Sequence, residues 1–127
     1  MTRNPKELRV FDMADGLVLS VYQATGSFPP EERFGLQSQI RRAATSIPAN
    51  IVEGCARRSE KEYVHHLVIA LGSASELRYF LDLSQRLGFL ESQEAAMLDE
   101  RCSDLLKALQ RLVDSLVGSA RRPTPDA

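Results

Sequence analysis

Apolar residues recur at the three- and four-residue spacing of an α-helix along four segments of this 127-residue chain. Short connectors that contain glycine or proline separate the segments, and no stretch alternates apolar and polar residues as a half-buried strand does. A helix with one apolar face buries that face against neighbouring helices. The sequence therefore predicts an all-α protein, an antiparallel up-down-up-down four-helix bundle with short joins.

The connectors set the expected limits of the helices. We expect helices over about residues 5–25, 30–54, 59–87 and 92–117. Ser59 and Glu62 form a capping box at the start of helix three, and Gly88 suits the left-handed conformation that ends it. Residues 119–127 contain no large apolar side chain. The prediction is a single domain over residues 1–118, followed by a flexible C-terminal tail over 119–127.

Pro48 lies inside helix two, where a proline removes one backbone hydrogen-bond donor. The apolar positions of this helix keep the same phase on both sides of Pro48, from Leu36 to Ile51. A continuous phase indicates one helix. We therefore expect helix two to be bent at Pro48 and to continue beyond it.

Charge and cysteine content exclude several classes of protein. Seventeen acidic and sixteen basic residues give a net charge of −1, which argues against a uniformly basic nucleic-acid-binding surface. Cys55 and Cys102 form no C-x-x-C pair, which excludes a zinc ribbon or a thioredoxin-type site. The chain shows no signal peptide and no apolar run long enough to cross a membrane. We expect a cytoplasmic protein with reduced, buried thiols.

No arrangement of residues predicts catalysis. Glu62 and His65 form an E-x-x-H pair, but a di-iron site needs two such pairs. His65 and His66 are adjacent and point about 100° apart on a helix, so they cannot clamp one metal ion together. The chain has no G-x-S-x-G motif and no glycine-rich phosphate loop. We expect no enzymatic activity, no metal, no cofactor and no small-molecule substrate.

Helix three carries apolar residues on nearly every side, whereas a helix in an isolated bundle keeps one polar face. The second apolar face is expected to bind another copy of the chain. The candidate interface residues are Val68, Ile69, Tyr79, Phe80 and Leu83. The alternative is a few scattered apolar residues on an ordinary surface.

A polar stripe lies beside the apolar face of helix two and meets polar residues of helix three. The predicted network consists of Arg42, Asn50, Glu53, Ser73 and Glu76. Glu53 is expected to pair with Arg57 four residues later, or with Arg42 through a bridging group. Two interpretations stay open: a structural network that fixes the register of the helices, and a ligand or assembly site.

Helix two and its flanks concentrate positive charge. Residues 33–58 contain five arginines and one acidic residue, whereas residues 91–117 contain six acidic residues and three basic ones. Arginine forks suit phosphate groups. The candidate nucleic-acid contacts are Arg41, Arg57, Arg58 and Arg33, while Arg42 is assigned to the polar network. The alternative is a solvated or structural set of arginines.

Several short motifs occur in an order and spacing that resemble a known family. They are Val21-Tyr22, Phe28-Pro29, Phe34-Gly35-Leu36, Gln39-Ile40-Arg41-Arg42-Ala43-Ala44, Ser46-Ile47-Pro48, Asn50-Ile51-Val52-Glu53-Gly54, Lys61-Glu62, Gly72-Ser73 and Glu76-Leu77. Together they resemble the four-helix-bundle family named after the intervening sequences of bacterial 23S ribosomal RNA genes. The resemblance covers about residues 8–117 and rests on the agreement of many motifs in one order.

The resemblance implies a cytoplasmic bacterial protein that assembles as a ring-like homopentamer and has no established enzymatic activity. A related accessory protein of retroelements has a similar fold and binds nucleic acid, so the resemblance makes RNA or DNA an expected partner class. The combined expectation is a non-enzymatic, self-assembling bundle that binds nucleic acid through its arginines. The alternative is a protein-interaction or structural scaffold with no nucleic-acid partner, and no membrane partner is expected.

Overall fold

Four α-helices form the computed structural model, which describes residues 3–121, with side chains through residue 118. Their limits are α1 (Arg9–Thr25), α2 (Leu36–Cys55), α3 (Glu60–Arg86) and α4 (Ser92–Arg121). Two short 3-10 turns precede α1 and α2, at Pro5–Glu7 and Pro30–Glu32. Residues 3–121 contain no strand, so the all-α prediction is confirmed.

The helices pack as a four-helix bundle, in which each helix borders two of the others. Both α1 and α3 pack against α2 and against α4. Contacts between α2 and α3 run in opposite sequence order, since Ser46 meets Ser73 while the later residue Asn50 meets the earlier residue His66. The up-down-up-down order stays a prediction, and this order of contacts agrees with it.

Turns led by proline delay the start of α1 and α2. Pro5 and Pro30 each open a 3-10 turn, so α1 begins at Arg9 and α2 begins at Leu36. The Glu32 carboxylate accepts a hydrogen bond from the Leu36 amide at 3.0 Å, which satisfies one of the free donors at the start of α2. The expected helix starts at about residues 5 and 30 are therefore wrong.

The observed limits of α3 agree with the predicted limits more closely than the observed end of α4 does. The Ser59 hydroxyl accepts a hydrogen bond at 3.1 Å from an amide of the first turn of α3. Gly88 has a φ of +81°, in the left-handed region expected of a residue that ends a helix. Helix α4 continues past Gly118 to Arg121, because a single glycine does not end a helix. The predicted tail thus begins inside α4, and residues 122–127 lie outside the described part of the chain.

Helix α2 continues through Pro48 without interruption. Residues 50–54 are helical, so the expectation that this proline does not split the helix is confirmed. Ile47 and Ile51 on either side of it are both fully buried, which is the continuous apolar phase that the sequence indicated. The bend at Pro48 stays a prediction.

The core of the bundle is apolar and includes both cysteines. Tyr63 on α3 is its largest fully buried side chain. Cys55 and Cys102 are buried free thiols, as expected. Burial raises the pKa of the Cys55 thiol, although the charge of nearby Arg3 acts in the opposite direction. Burial also raises the pKa of Cys102 to about 12, so both thiols stay protonated at neutral pH.

Helices α2 and α3 approach closely at Gly54. A Cβ atom added to Gly54 would lie 2.9 Å from the Cβ of His66 and 3.2 Å from the Cδ1 of Tyr63. Real Cβ contacts are longer than the first of these distances, so only glycine leaves room for the second helix at this position.

Candidate functional site

Three arginines on α2 and on the connector before it share an open groove with two aromatic rings. This surface, named here the arginine groove, has a volume of about 340 Å³ and is lined by Tyr22, Arg33, Phe34, Gln37, Ser38, Arg41, Arg42 and Thr45. Within the part of the chain that the structure describes, no acidic side chain lines the groove. The sequence indicated a basic surface on helix two but did not indicate that aromatic rings join it.

Arg41 lies inside the groove and joins α2 to the end of α1. Its Nε donates to the Thr25 hydroxyl at 2.9 Å, and its Nη2 donates to the Tyr22 carbonyl at 3.2 Å. The guanidinium carbon lies 4.4 Å from the centroid of the Tyr22 ring, in a cation–π contact. Because α1 presents these acceptors, the Arg41 side chain is held against the end of α1.

Phe34 protrudes from the connector that precedes α2, with 90% of its surface exposed. The guanidinium carbon of Arg33, which is also exposed, lies 5.7 Å from the Phe34 ring centroid. Arg42 is exposed on the first half of α2 and lines the same groove. The expectation that Arg42 belongs to the polar network is therefore corrected, since its side chain lies at the arginine groove.

Arg57 and Arg58 lie just beyond Cys55, the last residue of α2, which is roughly 21 Å from Arg41 along the helix axis at 1.5 Å per residue. The Arg57 guanidinium donates to the Glu53 carboxylate at 2.6 Å, and both side chains are largely exposed. An exposed ion pair of this kind contributes less than about 1 kcal/mol to stability. The candidate arginines therefore lie at two separate places on the bundle, and Arg58 is exposed at the second one.

Four polar side chains link α2 to α3. The hydroxyl oxygens of Ser46 and Ser73 are 2.8 Å apart, and the Asn50 amide nitrogen donates to Ser46 Oγ at 3.1 Å. The Asn50 amide oxygen lies 3.2 Å from His66 Nδ1. An amide oxygen only accepts hydrogen bonds, so His66 donates through Nδ1. This chain of contacts joins one helix to the other, as the structural interpretation expects.

The observed network differs in membership from the expected one. Asn50 and Ser73 take part, whereas Glu53 and Glu76 are exposed and lie outside it. His66 was missed by the sequence reasoning. It precedes Ser73 by seven residues, which is about two helical turns, so both lie on the same face of α3. That spacing is the signal that identifies His66.

The outer face of α3 contains three exposed apolar residues. Val68, Ile69 and Tyr79 are exposed, and Tyr79 leaves 55% of its surface in water. Phe80 and Leu83 are half-buried and pack against the core of their own bundle. Some apolar residues of α3 are thus buried within the bundle, and others are exposed.

Neither a metal-ion site nor a membrane-spanning helix occurs among the described residues. Across them, no group of three histidine, cysteine, aspartate or glutamate side chains comes together in a way that could hold a metal ion. No helix in that part of the chain is long and apolar enough to cross a membrane. The arginine groove and the outer face of α3 are the two candidate functional surfaces.

One protein family and a solved structure are similar to this chain. The model of a family described as 23S rRNA-intervening sequence protein matches residues 6–111. The crystal structure of a protein with unknown function from the S23 ribosomal protein family of Bacteroides thetaiotaomicron VPI-5482 is similar, with a TM-score of 0.77 and 25% sequence identity. The match covers 83% of this chain and 95% of that chain. No curated protein matches the chain. Four helices in one bundle and a family match over most of the sequence show that the chain belongs to the 23S rRNA-intervening sequence protein family.

Proposed function

We propose that this chain is a non-enzymatic, self-assembling protein of the bacterial cytoplasm that binds nucleic acid through exposed arginines. The arginine groove carries the proposal, because it combines positive side chains with aromatic rings and has no acidic residue in its described lining. Guanidinium groups match phosphate oxygens in geometry and charge. A groove without carboxylates attracts a polyanion and strengthens each of these contacts.

Arg33 and Arg42 are the phosphate contacts that we assign to this groove. Both side chains are exposed, whereas Arg41 is held by Thr25 and by the Tyr22 carbonyl. The surface at the other end of α2 is a second point of contact for a strand that follows the helix. Phosphate contacts of this kind bind all sequences alike and weaken steeply as salt rises.

Self-assembly is proposed through the outer face of α3. Val68, Ile69 and Tyr79 leave apolar surface in water in a single protomer, and a groove of about 510 Å³ lies beside Val68 between α3 and α4. Burying such surface between subunits is favourable by roughly 25 cal/mol per Å². The proposed number of subunits, five, is the number that the family resemblance implies. A homopentamer carries five arginine grooves, and linked weak contacts raise the overall affinity through effective concentration.

Salt dependence tests the nucleic-acid part of this proposal. Fluorescein-labelled RNA and DNA are titrated with the purified protein at about 50 mM and about 200 mM salt, with anisotropy as the readout. The double variant Arg33→Gln/Arg42→Gln should lower the log–log salt slope by roughly 1.5, because each phosphate contact contributes about 0.7 to 0.9. Arg86→Gln is the matched control, since Arg86 is an exposed arginine that pairs with Asp82 on α3.

The control should bind as the parent protein does. The nucleic-acid proposal is contradicted if the parent binds neither RNA nor DNA at low salt, or if the double variant keeps the parent's affinity and slope. Circular dichroism of the variants checks that the bundle is still folded.

Light scattering tests the assembly part of the proposal. The parent protein at micromolar concentration should have five times the 14.2 kDa mass of one chain. Ile69→Ser/Tyr79→Ser should lower that mass while helix content is kept, because both side chains are exposed in the protomer. Leu19→Ser changes an exposed apolar residue on α1 and should leave the mass unchanged. A parent protein that is monomeric would rule out the assembly.

A protein-interaction or structural scaffold is the alternative function. The exposed rings of Phe34 and Tyr79 favour it, because aromatic side chains are frequent anchors in protein interfaces. Under this alternative the assembly forms as proposed, but the parent protein binds neither RNA nor DNA at low salt. The salt titration therefore separates the two functions.

A further inference from the structure

We infer that the arginine groove binds an unpaired nucleic-acid strand, with a base stacked on the Phe34 ring and phosphates held by Arg33 and Arg42. This inference rests on the proposed function and adds to it the kind of nucleic acid and the residue that selects it.

The exposure of the Phe34 ring is the first observation behind this inference. A single exposed apolar residue is ordinary by itself. Phe34, however, is 90% exposed and lines the same groove as Arg33 and Arg42. Grooves that bind single strands combine positive charge along the backbone with aromatic rings on which bases stack. The arginine groove has both components within one surface.

Tyr22 contributes a second aromatic ring to the groove, and the Arg41 guanidinium is held against that ring. The Arg41 guanidinium carbon lies 4.4 Å from the Tyr22 ring centroid, and its Nε is fixed by the Thr25 hydroxyl. A charge held in this way loses little side-chain freedom when a ligand binds. Arg41 thus adds positive potential to the groove without being a direct phosphate contact.

The two acidic residues on the adjoining connector leave the groove positive. The Glu32 carboxylate accepts a hydrogen bond from the Leu36 amide at 3.0 Å and so is directed at the start of α2. Glu31 is exposed and is not one of the residues that line the groove. The carboxylates nearest in sequence to Phe34 therefore do not occupy the surface on which phosphates would lie.

Ring stacking and charge make opposite predictions about duplexes. A duplex has about one charge per 1.7 Å of axis, so binding by charge alone favours it over a single strand. The bases of a duplex are already paired and stacked, and their faces are closed to a protein ring. An unpaired strand presents base faces and phosphates together. A preference for the strand is thus a specific sign of stacking on Phe34.

The chain contains no tryptophan, which allows a direct optical test. Phe34→Trp places a single indole at the proposed stacking position. Addition of an oligouridine or oligothymidine strand of about 16 nucleotides should quench its emission, and a duplex of equal phosphate count should not. Met97→Trp, at an exposed position on α4, is the matched control whose emission should stay unchanged.

Affinity gives an independent readout on the full-length protein. Phe34→Ala should weaken binding of the strand at least about fivefold, which is the lower end for one stacked base. Its affinity for the duplex should stay that of the parent protein. Met97→Ala should change neither affinity. Helix content and assembly mass should be those of the parent, since the Phe34 ring is exposed.

The outcomes distinguish this inference from the proposed function. If strand and duplex bind equally well and Phe34→Ala changes nothing, the inference is overturned while binding by charge stands. A strand preference that survives Phe34→Ala also overturns it. If the parent protein binds neither form at low salt, both the inference and the proposed function fail. Quenching by only one of the two strands supports the inference and identifies RNA or DNA as the preferred form.

Discussion

At the scale of single residues, neighbouring side chains take different roles because their partners lie on other helices. Arg41 contacts Thr25 and Tyr22 on α1, whereas Arg42 is exposed at the groove. The sequence predicts the reverse assignment. Helical periodicity gives the direction of a side chain on its own helix, but it does not give the acceptors that another helix presents.

The Arg41 contacts should contribute measurably to stability. Arg41→Gln is expected to lower the free energy of unfolding by about 1 to 2 kcal/mol, because it removes charge-assisted hydrogen bonds between α1 and α2. Arg42→Gln should stay within about 0.5 kcal/mol of the parent protein, as exposed substitutions usually do. Urea denaturation measures both values, and equal values for the two variants would show that Arg41 does not tie the helices together.

The buried Cys102 thiol should make stability sensitive to alkaline pH. Burial raises the pKa of Cys102 from 9.0 to about 12 in the folded state. Its contribution is therefore fully present below pH 9.0 and is lost as the pH rises toward 12, because the unfolded chain releases the proton first. The free energy of unfolding should fall over this range, and it should fall less steeply in Cys102→Ala.

Urea denaturation at one pH below 9.0 and one above it measures this difference. The pKa of Tyr63 is also raised by burial, but Tyr63 is present in both proteins, so the comparison isolates Cys102. If the free energy of unfolding falls equally with pH in the parent protein and in Cys102→Ala, the raised pKa of Cys102 does not contribute to the pH dependence.

At the scale of helices, the sequence correctly predicted features that are set within a single helix. It misplaced helix starts that depend on the preceding connector. The continuity of α2 through Pro48 follows from apolar phase, and the start of α3 follows from the Ser59 cap. The starts of α1 and α2 were misplaced, because Pro5 and Pro30 fit a 3-10 turn as well as a first helical turn. His66 was missed because its partner, Asn50, lies on the other helix.

Two glycines should respond in opposite ways to the same substitution. Gly54→Ala should lower the free energy of unfolding by about 1 to 3 kcal/mol, because the new Cβ would lie 2.9 Å from His66 Cβ. Gly72→Ala on α3 should raise it by about 0.5 to 1 kcal/mol, because alanine favours helix and no atom beyond the local backbone of α3 lies within 4 Å of the new Cβ. Thermal and urea denaturation measure both. A neutral or stabilising Gly54→Ala would mean that α2 and α3 do not approach closely there.

At the scale of the whole molecule, the fold follows from sequence more completely than the surfaces do. Four segments with the apolar spacing of a helix predict four helices in a bundle, which the structure confirms. The arginine groove brings together Tyr22, Phe34 and Arg42 from α1, a connector and α2. Periodicity describes each helix separately, so it could not place these side chains on one surface. Periodicity also could not show which apolar residues of α3 are exposed, since Phe80 and Leu83 pack partly against the core of the bundle.

Sedimentation velocity with a labelled strand tests most directly whether this chain forms an assembled bundle that binds nucleic acid by charge. Protein and fluorescein-labelled strand are sedimented together at about 50 mM and about 200 mM salt, and both components are followed. The protein should sediment with five times the 14.2 kDa mass of one chain in both conditions. The strand should move with it at low salt and largely separate from it at higher salt. Protein that sediments as a single chain would contradict the assembly, and a strand that moves alone even at low salt would contradict the binding of nucleic acid.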